Sequence, residues 1–99
     1  MIAVLGQFRF PAGALDRARE LMRPVIEATL AEVGCHAYSY AEDVTEPGLF
    51  RVHEHWDSRA ALDAHFAMPH MKAWVEKRAE LGFFDRDISL YEIGAIEKV

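Results

Sequence analysis

The stretch EHWDSRAALDAHFAMPHMKA, from Glu54 to Ala73, decides the fold, because it turns from a strand-like into a helical pattern. An earlier block, EVGCHAYSY from Glu32 to Tyr40, precedes it at the distance that one β-hairpin needs. Asp57 or Ser58 is placed to cap the following helix, which we expect to run to about Ala67. A hairpin followed by a helix predicts the centre of a small mixed α/β domain.

The residues before the hairpin predict a strand and a helix. The first ten residues, MIAVLGQFRF, are strand formers and end at a turn signal that contains Pro11 and Gly13. From Ala14 the apolar residues recur at three- and four-residue steps, which predicts an amphipathic helix stopped by Gly34. Pro24 lies inside this pattern, so we expect it to kink the helix or to start a second one.

The remaining elements complete the order β-α-β-β-α-β. Strands are predicted over 35–43 and 49–56, around a loop at 45–48. Pro69 suits the first turn of a further helical segment that reaches about Leu81. The fourth strand is expected over 88–96, after Asp85-Arg86-Asp87. This order is the α+β, ferredoxin-like arrangement of an antiparallel sheet, and 99 residues make one such domain over 1–99.

Helices cover only one face of such a sheet, so the other face needs a cover. A second subunit packed sheet against sheet would supply it, which predicts a homodimer with a dimeric α+β barrel. A hydrophobic fraction of 52% is generous for so short a chain and favours an oligomer interface.

Composition excludes several partners. The net charge of −5 and the absence of a basic stripe argue against nucleic acid, and Lys72, Lys77 and Arg78, the densest basic group, read as a solvated helix face. No uncharged stretch approaches the roughly 20 residues of a membrane span, so no membrane partner is expected. Cys35 has no second cysteine to pair with, and no secretory signal is visible, which together predict a reducing cytoplasm.

The strand alternation groups candidate side chains into two sets. If the hairpin is centred on the loop at 45–48, Tyr38 lies opposite Glu54. A slip of one residue would exchange the two sets. With this register, one face carries His36, Tyr38, Tyr40, Val52, Glu54 and Trp56, and the other carries Ala37, Ser39, Ala41, Arg51, His53 and His55.

His65 is the strongest candidate for chemistry. It follows Leu62 by one turn and precedes Phe66, so it is expected to face inward. An inward histidine with a pKa near ~6.5 can act as a general base or orient a substrate oxygen. The alternative is a core histidine that is hydrogen-bonded to the backbone or to Glu54.

The other candidates also have two readings. Trp56 either stacks on a flat substrate or simply fills the core. Glu54, on an otherwise apolar face, needs a partner such as His65 or a tyrosine hydroxyl, or else a raised pKa. Tyr38 and Tyr40 leave the same structural and functional alternatives open.

The remaining histidines give weaker signals. His70, after Pro69, is either a helix cap or part of a pocket rim. His53 and His55 form an H-x-H pair, but a metal site needs a third or fourth ligand, so no metal is predicted. The sequence has no motif for a nucleotide or flavin, so no cofactor is predicted either.

Three motifs carry a resemblance to a known family. They are E-x-G-C-H-x-Y (32–38), E-x-W-x-S-x-x-x-L-x-x-H (54–65) and P-H-M-K-A (69–73). In this order and spacing the chain resembles the antibiotic biosynthesis monooxygenase domain, in the branch of quinol monooxygenases. The resemblance implies a homodimer with a pocket between helices and sheet in each subunit. It also implies oxidation of electron-rich phenols or hydroquinones by O₂, without flavin or metal.

The resemblance suggests a role for each candidate. His65 would be the base or an orienting donor, Trp56 would pack the substrate ring, and Glu54 would set the tautomer of His65. The residues expected to bind the aromatic substrate are Tyr38, Tyr40, Phe66 and His70. Haem degradation is not expected, because Gln7 stands where haem-degrading relatives carry an asparagine.

Two other functions stay open. Relatives that isomerise a phosphorylated sugar share the A-L-x-x-H…P-H pattern, so an isomerase or cyclase of the same fold remains possible. The chain can also be a non-catalytic dimeric binding protein. A pocket below about 150 Å³ would favour that reading, since ligand sites usually measure about 300 Å³ or more.

Overall fold

The computed structural model describes all 99 residues as three α-helices packed on a four-stranded antiparallel sheet. The strands lie in the order β2-β3-β1-β4, which confirms the predicted ferredoxin-like α+β arrangement. A short 3₁₀ turn, Ala12–Ala14, leads into the first helix. The elements are β1 (Ile2–Arg9), α1 (Leu15–Leu30), β2 (Cys35–Glu42), β3 (Leu49–Trp56), α2 (Arg59–Phe66), α3 (Pro69–Glu80) and β4 (Phe84–Glu92).

The predicted hairpin register is confirmed, with one exception. Tyr38 pairs with Glu54 and Tyr40 with Val52. The expectation that His36 shares their face is wrong, because a bulge between Cys35 and Ala37 interrupts the strand alternation there. His36 is exposed and contacts the carboxylate of Asp57.

Helix α1 differs from its prediction in two ways. Pro24 lies inside a single sixteen-residue helix and does not start a second one. The helix ends at Leu30 instead of reaching Gly34, and Val33 is 94% exposed. Gly34, with φ +84°, closes the turn that follows the helix. Glu32 therefore lies on a turn, where its side chain can reach α2 and α3.

Strand β4 starts and ends four residues earlier than the sequence suggests, at 84–92 instead of 88–96. Its pairing with β1 sets these limits, since Phe84 lies opposite Arg9 and Glu92 opposite Ile2. Polar residues are tolerated in β4 because it is an exposed edge strand, so the charged run at 85–87 misled the sequence-based prediction.

The core lies between the sheet and the helices in two adjoining clusters. The larger cluster contains Phe8, Phe10, Met22, Phe50 and Trp74, and the smaller one contains Ile2, Val4, Tyr38, Trp56 and Leu62.

Helix α2 begins at a cap that the sequence predicted. The side chain of Ser58, one of the two predicted caps, accepts a hydrogen bond from the amide of Ala61. No helix has the length and apolar character that a membrane span requires.

Candidate active site

A small enclosed cavity lies between the helices and the sheet, with a volume of about 30 Å³. Five predicted site residues line it: Tyr38, Tyr40, Glu54, His65 and Phe66. Two other predicted residues, Trp56 and His70, do not. The rest of the wall consists of Val4, Phe8, Val52, Met71, Arg78, Arg86 and Ile88.

Trp56 lies behind Glu54 and is fully buried. Its Nε1 donates a hydrogen bond to Glu54 Oε1 over 2.9 Å, because side chains two residues apart on a strand share a face. Its ring also packs against His65, with 4.9 Å between the centroids. Trp56 is not among the residues that line the cavity, so the prediction that it packs the substrate ring does not fit this arrangement.

Glu54 is a carboxyl group on the cavity wall with only 7% of its surface exposed. Burial raises its pKa to about 7, although the hydrogen bond from Trp56 and the charge of Arg86 oppose that shift. Near neutral pH the group is therefore present in both protonation states. It can give a proton to a bound molecule or take one from it.

His65 is held by Glu32, and the predicted partnership with Glu54 is wrong. His65 Nδ1 lies 2.8 Å from Glu32 Oε2, which the end of α1 at Leu30 makes possible. A carboxylate only accepts hydrogen bonds, so it fixes the tautomer with the proton on Nδ1. Burial lowers the pKa of His65, and Glu32 opposes this. His65 Nε2 has no hydrogen bond and remains free to accept a proton.

His70 bonds to the same carboxylate from outside the cavity. It is the second residue of α3, and its Nε2 lies 2.8 Å from Glu32 Oε2. The prediction of a helix cap is wrong, because Met68 occupies the cap position and His70 bonds to a side chain. The His70 side chain is 25% exposed. His70 therefore acts on the cavity from outside, through the shared carboxylate of Glu32 and through its own charge on His65.

The two tyrosines are neutral donors in the cavity. Their hydroxyl groups are hydrogen-bonded to each other. Burial raises the pKa of Tyr40 to about 12 and raises that of Tyr38 still further above its ordinary value. Since one hydroxyl donates to the other, the second hydroxyl hydrogen is available to a bound molecule.

The sequence profile of the antibiotic biosynthesis monooxygenase family matches residues 1–77 of this chain. The chain belongs to this family. The crystal structure of a Deinococcus radiodurans protein that carries the same family name superposes with a TM-score of 0.93 at 30% identity, over 100% of this chain and 98% of the other.

Relatives of known sequence agree with this membership. "Probable quinol monooxygenase YgiN" of Escherichia coli is 31% identical over 86 residues, covering 77% of this chain and 83% of that protein. An uncharacterized protein of Synechocystis is 36% identical over 92 residues, which cover 93% of this chain. This chain spans 63% of the length of that Synechocystis relative.

Two arginines complete the site of this family member, and the sequence did not reveal them. Arg78 on α3 is half-buried over the ring of Phe83, 4.4 Å from its centroid, so its reading as part of a solvated helix face is wrong. Arg86 lies on β4, in the run that the sequence placed before the strand. Neither guanidinium makes an ion pair with a carboxylate. The cavity wall therefore carries two positive charges beside one carboxyl group, Glu54, that is only partly ionised near neutral pH. This balance favours an anionic ligand.

One side-chain trio has the composition of a metal site. The donor atoms of Glu32, His65 and His70 all lie within 4.8 Å of one another. Two histidines and one carboxylate suit zinc or another transition metal. The same atoms satisfy one another through hydrogen bonds, so no ion is needed to hold them together. Glu32 was missed as a site residue because the sequence assigned it to the helix.

Proposed function

We propose that this protein is a cytoplasmic homodimer that oxidises a small phenolic or quinol-like aromatic molecule with O₂, without a cofactor. The observation that carries the proposal is His65, a buried neutral base with its Nδ1 fixed on Glu32, in a cavity flanked by two free arginines. A hydroquinone and O₂ would give a hydroxylated quinone and water. The substrate supplies four electrons, one oxygen atom enters the product, and the other leaves as water.

The first step is ionisation of the substrate. A phenol with a pKa of about 10 is only about one part in a thousand ionised at pH 7, and half-ionisation needs roughly 4 kcal/mol of stabilisation of the anion. His65 Nε2 takes the proton. Charged hydrogen bonds contribute about 1.5–3 kcal/mol each, so Arg78 together with the hydroxyls of Tyr38 and Tyr40 can supply this stabilisation.

The second step is electron transfer to O₂, which the phenolate performs far more readily than the neutral phenol. The reduced oxygen that leaves as water must gain protons. Glu54, with a pKa of about 7 on the cavity wall, is the group placed to give one. Trp56 is a positioning residue in this scheme, because its N–H fixes the carboxyl group of Glu54.

The homodimer is proposed from the uncovered face of the sheet. The helices pack on one face, while Leu5 and Tyr91 are exposed and line a depression on the other. Strand β4 is exposed along almost its whole length. A second sheet would cover this surface, and the fold would gain the apolar burial that a chain of this size lacks.

A second candidate function is binding without turnover. The cavity of about 30 Å³ favours it, because this volume holds about one water molecule and lies far below ligand-site size. A catalytic site here requires a side chain of the cavity wall to move.

Oxygen uptake tests the proposal. The metal-stripped wild type is assayed with a panel of hydroquinones and polyphenols, beside His65→Gln and the control His36→Gln, which alters an exposed histidine outside the cavity. We expect uptake in the wild type and the control, and a loss of at least about a hundredfold in His65→Gln. Equal uptake in all three would remove His65 from the reaction. If a panel compound disappears without uptake, the chain is an isomerase or cyclase.

A further inference from the structure

The cavity is separated from a groove on the surface by only a few side chains. This groove, of about 140 Å³, runs along the outside of the molecule between α2 and β4. Val4, Phe66, Arg86 and Ile88 line both the groove and the enclosed cavity. The two spaces are therefore neighbours with a shared wall.

Two of the four shared side chains, Phe66 and Arg86, are exposed at the surface. Val4 and Ile88 belong to paired strands and form a fixed floor. Phe66 is the last residue of α2 and is 47% exposed. Arg86 is exposed and makes no hydrogen bond or ion pair. A rotation of these two side chains away from the shared wall would join the groove to the cavity.

The opposite wall of the cavity is held more firmly. Tyr40 separates the cavity from a wider groove of about 460 Å³ between α1 and β2. Its hydroxyl is bonded to Tyr38, and its ring stacks on Trp74. The charges of Arg19 and Glu42 at that groove are paired by two hydrogen bonds. Entry from that side would break a packed and hydrogen-bonded wall.

We propose that the groove between α2 and β4 is the outer half of the substrate site, and that the substrate is an aromatic anion with more than one ring. This inference rests on the proposed function. The phenolic end enters the cavity beside His65, and the further ring lies on Leu62 and Leu90 in the groove.

The charges of the groove specify an anion. Arg59 already pairs with Asp63 over 3.1 Å. Arg86 has no such partner and stands where groove and cavity meet. A carboxylate or ionised hydroxyl next to the phenolic ring would pair with Arg86, while the apolar side chains would receive the second ring.

Binding by NMR tests this site without turnover. Amide shifts of ¹⁵N-labelled protein are followed with 3-hydroxy-2-naphthoate, which has two rings, and with salicylate, its one-ring counterpart. We expect shifts at His65 with both compounds, shifts at Phe66 and Leu90 only with the two-ring compound, and affinity at least tenfold higher for it. Shifts centred on Met22 and Phe50, equal affinities, or no binding would overturn the proposal.

A charge variant sharpens the test. Arg86→Gln should weaken binding of 3-hydroxy-2-naphthoate at least fivefold and leave binding of uncharged 2-naphthol unchanged. The control Arg23→Gln removes an unpaired arginine of the α1–β2 groove and should change neither affinity. An equal loss in both variants would contradict a role for Arg86. Binding at this site without oxygen uptake would sink the proposed reaction alone, and uptake without binding in the groove would sink this inference alone.

Discussion

Single residues carry the chemistry proposed for this protein, and Glu54 shows how burial sets it. Because its pKa is raised to about 7 from 4.5, the folded state holds this proton more tightly than the unfolded chain does. Stability from this group is therefore fully present below about pH 4.5 and is lost as pH rises to about 7, by roughly 3 kcal/mol.

Glu54→Gln should remove this pH dependence. Glutamine keeps an acceptor for the Trp56 N–H and carries no charge. We expect the free energy of unfolding of the variant, relative to wild type, to rise by about 3 kcal/mol between pH 4.5 and pH 8. Urea unfolding at several pH values measures it. The control Glu76→Gln, on the exposed face of α3, should show a flat difference; a flat difference for Glu54→Gln as well would contradict its buried, raised pKa.

Glu32 acts on the same cavity by fixing a neighbour. Imidazole ¹⁵N NMR should show His65 with its proton on Nδ1 in the wild type, since Glu32 accepts that hydrogen. In Glu32→Gln the pKa of His65 should fall further, because the carboxylate that raises it is gone. His53, on the other face of the sheet, serves as the internal reference. A wild-type His65 protonated on Nε2 would refute its role as a base.

At the scale of elements, local rules predicted what local chemistry decides. Ser58 as a helix cap and the hairpin register followed from residue type and alternation. The end of α1 and the position of β4 did not follow from such rules. The limits of β4 are set by its pairing with β1, which is distant in the sequence. These two errors hid Glu32 and Arg86, so the sequence identified His65 and Glu54 but not the residues that surround and charge their cavity.

Gly6 makes the pairing of β1 with β4 possible. A Cβ atom at this position would lie 2.1 Å from the carbonyl oxygen of Asp87 and 2.5 Å from Ile88 Cα. We expect Gly6→Ala to lower the free energy of unfolding by about 3 kcal/mol, at the upper end for overpacked sites. Urea unfolding measures it against Gly13→Ala, whose Cβ meets no atom within 4 Å. Equal stability of both variants would show that β4 adjusts freely.

At the scale of the whole molecule, one face of the sheet is left without helices, and the proposed dimer would cover it. Leu5 lies on that face, while Val75 lies on α3, and each is 42% exposed. In sedimentation experiments we expect a dimer for the wild type and for Val75→Lys, and a shift to monomer for Leu5→Lys, because a buried unpaired lysine is costly. Dissociation of Val75→Lys with an intact Leu5→Lys dimer would place the interface on the helices instead.

Family and fold were accessible from the sequence because motifs and alternation are local. The cavity volume was not, since it depends on how Phe66, Arg78 and Arg86 from three elements pack against one another. The small volume makes access the critical property of this site. In the proposed reaction, the side chains of Phe66 and Arg86 provide the opening that a substrate needs.

The measurement that tests the central claim most directly is the fate of ¹⁸O₂ with wild-type protein and a two-ring hydroquinone that it binds. The account predicts one ¹⁸O atom in each product molecule, the other in water, and neither product nor label above background with His65→Gln. A product without label, or no consumption of O₂ by folded protein that binds the compound, would contradict monooxygenase chemistry in this cavity.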